Sequence, residues 1–191
     1  MNTHTLSAAL AARGGLIGVL LALGVLAPPA AAQTDASTSA VAFRDAFIAH
    51  FDQSTNKLVA LSAAMPADTY AWSPDEEVMS TARVYAHIAR YNYYYLESSL
   101  GIEAPAGIDV DTMEELTDKD EVREALLSSI SHVKQRVHDM SADDLTRSVR
   151  LYGRDVAGWE VLLQLLAHMN EHVGQSVSYA RMNGVAPPWS N

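Results

Sequence analysis

Cysteine is absent from all 191 residues. That absence excludes disulfides, thiolate metal ligands, a cysteine nucleophile, haem attachment through C-x-x-C-H and a lipoprotein cysteine. Stability must then come from a packed core, and any metal site must be built from nitrogen and oxygen donors. Basic residues are scarce too: 13 Lys and Arg face 23 Asp and Glu, a net charge of −10 at pH 7. A chain this acidic repels phosphate backbones, which argues against nucleic acid as a partner. Long apolar runs are also missing. The stretch "LIGVLLALGVLA" holds about a dozen residues, where a membrane span needs roughly twenty.

What is present at the N-terminus has the order of a secretory signal peptide: Arg13, that apolar run, then "PPAAAQ" with Ala30-Ala31-Ala32 as the small residues a signal peptidase needs. Residues 1–32 are expected to be removed after Ala32, leaving no stable membrane anchor and a periplasmic or secreted protein. Cleavage takes away one arginine and no acid, so the mature chain is more acidic still. Residues 33–40, small and polar, read as a disordered leader. Residues 41–188 read as one domain, long enough to bury a proper core and without an internal repeat.

Within that domain, four long segments carry apolar residues at spacings of three and four. The first covers residues 41–65, with Phe43, Phe47, Phe51, Leu58 and Leu61 on one stripe, and Pro66 ends it. The second starts at a Ser80 or Thr81 cap, carries Val84, Ile88, Tyr91 and Tyr95, and stops at Gly101. Two prolines and an acidic cluster make "PADTYAWSPDEE" a loop between them. Thr117 is expected to cap the third, whose stripe is Val122, Leu126, Val133 and Val137, with acids in its first turn. "SADD" can cap one further turn, and "TRSVRLYGRD" alternates around Val149 and Leu151 as a hairpin-like connection. The last helix, residues 156–183, ends at Asn183-Gly184 ahead of "APPWS". Four such stripes bury one another as an all-α four-helix bundle with long inter-helix connections.

The chain has 7 histidines, and one of them, His4, lies in the signal segment. At about 100° per residue, His168 and His172 fall one turn apart on one flank of the last stripe. His87 takes the matching flank of the second helix. Three imidazoles at the edges of two inward faces can converge on a metal ion; equally, they can be half-buried and bonded to their neighbours. His50 has a similar flank position on the first helix, as a fourth ligand or pocket residue or as a core-edge histidine. Tyr94 falls on the His87 side and is a pocket candidate, whereas Tyr91 and Tyr95 read as core. His132 and His138, among Lys134, Gln135, Arg136 and Asp139, read as solvated. Glu171 projects away from the stripe, so H-E-x-x-H is not matched.

Two stretches carry a family resemblance: "SPDEEVMSTARVYAHIARYNYYY", and, after a long gap, "LLQLLAHMNEHVGQSVSYARMNGVAPP". Together they resemble the DinB-like (damage-inducible, YfiT-like) metalloprotein superfamily over roughly residues 41–188. The resemblance implies a four-helix bundle whose three histidine ligands fall on His87, His168 and His172. It also implies thiol-dependent transferases or isomerases as the activities of some relatives. Three neutral nitrogens leave an open coordination position, as a catalytic ion needs. The expectation is therefore a divalent ion, zinc, nickel or iron, serving a metal-dependent transferase or hydrolase. Its partner would be a small molecule, a thiol conjugate, amide or ester, with Tyr94 and Gln175 as pocket donors. The alternative is a non-catalytic exported protein that buffers or senses the ion. A homodimer is compatible with either.

Overall fold

The structure is a computed structural model that describes residues 30–190. Most of the expected signal peptide, residues 1–29, lies outside the described residues. The elements are α1 (Ala30–Ala64), α2 (Thr81–Leu100), α3 (Lys119–His138), a short α4 (Ala142–Thr146), the strands β1 (Ser148–Leu151) and β2 (Arg154–Ala157), and α5 (Gly158–Met182). Single 3₁₀ turns occupy Ala67–Thr69 and Met113–Glu115.

Local chemistry accounts for the boundaries. The Ser80 hydroxyl accepts from the Arg83 amide at the start of α2, and Gly101, at φ 72°, ends it in the left-handed conformation. Asp118, one residue beyond the expected Thr117, caps α3 by accepting from the Asp120 and Glu121 amides. Ser141 and Asp144 form a reciprocal capping box on α4. The hairpin pairs Val149 with Val156 and Leu151 with Arg154, and it buries Val149, Leu151 and Val156.

Two expectations are corrected. Residues 33–40 are helical and continue α1, which begins at Ala30 instead of near Val41. Alanine and short polar residues extend a helix at little cost once it is nucleated, and the buried Ala40 and Phe47 anchor this one in the core. His132, expected on the solvated side of α3, is only 6% exposed. It lies one residue from the buried Val133 and its ring packs against Tyr93 of α2, 5.2 Å between centroids. The α2–α3 contact is broad enough to cover it; His138, nearer the end of α3, stays exposed as expected.

One apolar core joins the four long helices, with Phe51, Leu58, Leu61, Ile88, Leu126, Val133, Val161 and Leu162 fully buried. Each such side chain contributes about 1.5–3 kcal/mol of transfer free energy. This core sets α2 and α5 antiparallel: the Tyr179 hydroxyl reaches the Met79 carbonyl, and His87 meets His172 and His168 further along. Among the described residues, no helix is long and apolar enough to cross a membrane.

Candidate metal centre

His87 comes from the second turn of α2, and His168 and His172 come from successive turns of α5. Antiparallel packing lays these flanks against each other. His87 Nε2 lies 3.1 Å from His168 Nε2, and His172 Nε2 lies 3.3 Å from the same atom. The ligand atoms of the three residues all fall within 4.8 Å of one another, and the three side chains are half-buried. A tetrahedral ion with metal–nitrogen bonds of about 2.0–2.1 Å separates neighbouring nitrogens by roughly 3.3 Å. The spacing of the imidazoles fits that donor set.

The far side of two rings decides which nitrogen carries the proton. His87 Nδ1 sits 2.8 Å from Glu114 Oε1, and a carboxylate can only accept, so His87 donates from Nδ1 and its Nε2 is a bare lone pair. His172 Nδ1 lies 2.7 Å from Gln175 Oε1, whose amide nitrogen donates to the Tyr179 hydroxyl at 2.9 Å; Tyr179 in turn donates to the Met79 carbonyl at 3.0 Å. The chain of donors orients the Gln175 oxygen toward His172, which then also presents a bare Nε2. Ligating histidines are characteristically held in this way by a carboxylate or an amide oxygen.

Electrostatics keeps the nitrogens free. Burial, reinforced by His172 and His87, lowers the His168 pKa to about 4. Burial also lowers that of His87, outweighing the opposing effect of Glu114. Burial disfavours charge on Glu114, but the His87 and Arg83 contacts prevail and hold its pKa below the usual carboxylate value. Arg83 Nε donates to Glu114 Oε2 at 3.1 Å and Arg90 stands 3.7 Å from Oε1, so the carboxylate is anchored from two sides. At neutral pH His87 and His168 are therefore neutral imidazoles, His87 backed by an anion, the state a divalent cation requires.

Aromatic rings enclose one side. Tyr91 stacks on His168 with centroids 4.6 Å apart and contacts His87 at 4.4 Å, and Tyr95 meets His168 edge-on at 5.8 Å. These two tyrosines, which the sequence places in the core, thus belong to the site. Tyr91 and Tyr95 stand four and eight residues after His87, a helical-face spacing that could have identified them.

The chain belongs to the DinB superfamily. A family profile with that description matches residues 50–179, which include all three histidines. Among solved structures, a DinB-like protein from Bacillus cereus ATCC 10987 aligns with a TM-score of 0.59 at 17% identity, covering 77% of this chain and 97% of that one. A DinB-like protein from Bacillus subtilis aligns with a TM-score of 0.58 at 20% identity, covering 72% and 91%. At these identities the likeness speaks for the fold. No curated protein matches the sequence.

Within this DinB-superfamily bundle, the other candidate residues fare differently. Gln175 is at the centre, but it is the residue that holds His172. Tyr94 is displaced: it lies on the outer side of α2, in a groove of about 770 Å3 shared with Arg90, Glu97 and residues 103–111, which none of the three histidines lines. Tyr94 stands seven residues after His87, nearly in phase with it, but two turns further on, so the helical rise of about 10 Å carries its ring along α2 away from the histidines. His50 is exposed and outside the cluster. Helix α1 packs against α5 and α3 along Phe47, Phe51 and Leu58, and this leaves the His50 flank uncovered. Glu114 was missed altogether. It stands in a 3₁₀ turn of the α2–α3 connection, 27 residues from His87, with no periodic pattern to mark it.

Proposed function

We propose that this protein is an exported, metal-dependent transferase or hydrolase whose divalent ion is held by His87, His168 and His172. One observation carries the reading: two of the three imidazoles are turned by Glu114 and Gln175 so that unprotonated Nε2 atoms face the third at tetrahedral spacing. A single proton on His168 Nε2 serves one of those two lone pairs well, whereas a metal ion accepts all three nitrogens. An ion bound there supplies Lewis acidity to a carbonyl, a water or a thiol. Zinc, nickel and iron all suit an imidazole set, and supply in the compartment would choose among them.

The chain's own residues would do the rest. Glu114 raises the basicity of His87, Gln175 keeps His172 in one orientation, and Tyr91 shields one face of His168 from water. Export rests on the N-terminal pattern of Arg13, an apolar run and three alanines.

Elemental analysis of mature protein purified without a nickel column is the direct test. About one ion per chain, lost in His87→Ala and His168→Ala variants that remain folded, is the expected result. Absence of metal from correctly folded parent protein would remove the reading. Loaded protein is then assayed on thiol conjugates, amides and esters; tight retention of metal without turnover on any of them would favour a buffering or sensing role.

A further inference from the structure

The tip of the hairpin before α5 carries a side chain that its turn does not favour. In a two-residue turn with both central residues at positive φ, asparagine followed by glycine is the low-strain pair. Here the pair is Tyr152, at φ 49°, and Gly153, at φ 78°. A bulky residue in the left-handed region is disfavoured sterically. Tyr152 gains little from burial in return, being 58% exposed.

What Tyr152 does reach is Tyr95: the two hydroxyls are 2.5 Å apart. Tyr95 is fully buried, and its ring meets both His168 and Tyr91. A row of rings therefore runs from His87 through Tyr91 and Tyr95 to the hairpin tip, with successive centroids 4.4, 5.7 and 6.2 Å apart. Two hydroxyls in contact share one proton and keep the other. Tyr95 Oη is the enclosed member and its oxygen accepts from the Gln164 side chain; an unused donor there would be unfavourable, so Tyr95 donates and Tyr152 accepts. The phenolic proton left over is that of Tyr152, on the solvent side of the row.

We propose that Tyr152 is a ligand-recognition residue of the three-histidine centre, its free hydroxyl donating to a carboxylate or carbonyl oxygen on a small molecule whose other end binds the metal. The inference rests on the metal-holding function proposed above. It deepens that function by naming the ligand class: bifunctional molecules with a metal-seeking head and an oxygen acceptor at a distance set by the tyrosine row. Backbone strain at Tyr152 is then retained for recognition. Such strain is characteristic of functional positions.

The test uses the full mature protein loaded with cobalt(II), whose absorption reports a ligand entering the coordination sphere. The probes are ω-mercaptocarboxylates of increasing chain length, each paired with the alkanethiol of equal length. In the parent, at least one mercaptocarboxylate should bind more tightly than its alkanethiol partner. Tyr152→Phe should remove about tenfold of that advantage, as loss of a hydrogen bond to a charged group predicts, and leave alkanethiol binding and metal content unchanged. Tyr152→Asn, in which asparagine suits the turn and keeps the hairpin, should lose the same advantage.

The proposal is overturned if the parent shows no preference for the carboxylate, or if Tyr152→Phe or Tyr152→Asn keeps the preference. Failure of the parent to hold cobalt would overturn the metal centre itself, a result the metal content shows before any thiol is added.

Discussion

Removing the carboxylate behind His87 should weaken the metal centre by an amount that can be worked out in advance. Glu114 does three things: its Oε1 accepts from His87 Nδ1 at 2.8 Å, its negative charge strengthens the imidazole as a donor, and its Oε2 is anchored by Arg83 at 3.1 Å. Partners of this kind are worth about 10–100-fold in metal affinity. Glu114→Gln keeps an oxygen for His87 and loses the charge, so the lower end applies: about tenfold, or about 1.4 kcal/mol. Glu114→Ala loses orientation as well and frees the ring to turn, which places it near 100-fold, about 2.7 kcal/mol. Arg83 and Arg90 already draw off part of the carboxylate's charge, and this argues against a larger effect of the glutamine variant.

The assay is competition for zinc against a chromophoric chelator of known affinity at pH 7.5, with thermal unfolding of the metal-free variants to confirm that each is folded. Glu115→Ala, an exposed neighbour in the same turn, is the control and should bind as the parent does. Glu114→Ala binding within about twofold of the parent would refute the reasoning, for it would mean that His87 needs no partner to present Nε2. Equal losses in the glutamine and alanine variants would assign the whole effect to charge and none to orientation.

The remaining predictions concern stability. His168 titrates near pH 4 in the folded metal-free protein because burial and the neighbouring imidazoles oppose its charge, against roughly 6.5 when unfolded. The unfolded chain then binds more protons between those values, so metal-free protein should lose stability as pH falls from about 6.5 to 4, and His168→Ala should flatten that part of a melting-temperature profile. A Cβ added at Gly158 would stand 2.2 Å from the Asp144 carbonyl oxygen; Gly158→Ala should cost about 1–3 kcal/mol in urea unfolding by forcing α5 away from α4. His132 is buried with no hydrogen-bond partner for Nε2 among the described residues, so His132→Phe should be neutral or stabilising by about 1 kcal/mol in the same experiment. A clear loss of stability there would show that the nitrogen has a partner.

Much of this protein was legible one helix at a time. Ser80, Gly101, Ser141 with Asp144, and Gly153 act through their own backbone neighbours, so they announce helix ends and a hairpin without reference to the rest of the chain. The i, i+4 placement of His168 and His172 on the flank of an apolar stripe is equally local, a matter of 3.6 residues per turn. The same phase argument put His87 on a matching flank, and the antiparallel packing of α2 and α5 then brought the three nitrogens together.

What the sequence by itself determined is therefore the set of helices, the stripe each one buries and the side on which each histidine stands. Tertiary structure alone decided which flanks are covered and what faces them. His50 and His132 each stand one residue before a buried stripe residue, Phe51 and Val133, yet the first is exposed and the second buried, because Tyr93 of α2 covers the His132 flank of α3 while the His50 flank of α1 lies outside its contacts. Tyr91 reads as core from its own helix and joins the site only through the stack on His168, and nothing in the sequence marks Tyr152, whose hydroxyl meets Tyr95 only in the folded chain. Glu114 had no local signal at all. Its role arises from the path of a loop, and a loop's path depends on the packed surface it crosses, which exists only after the helices have assembled.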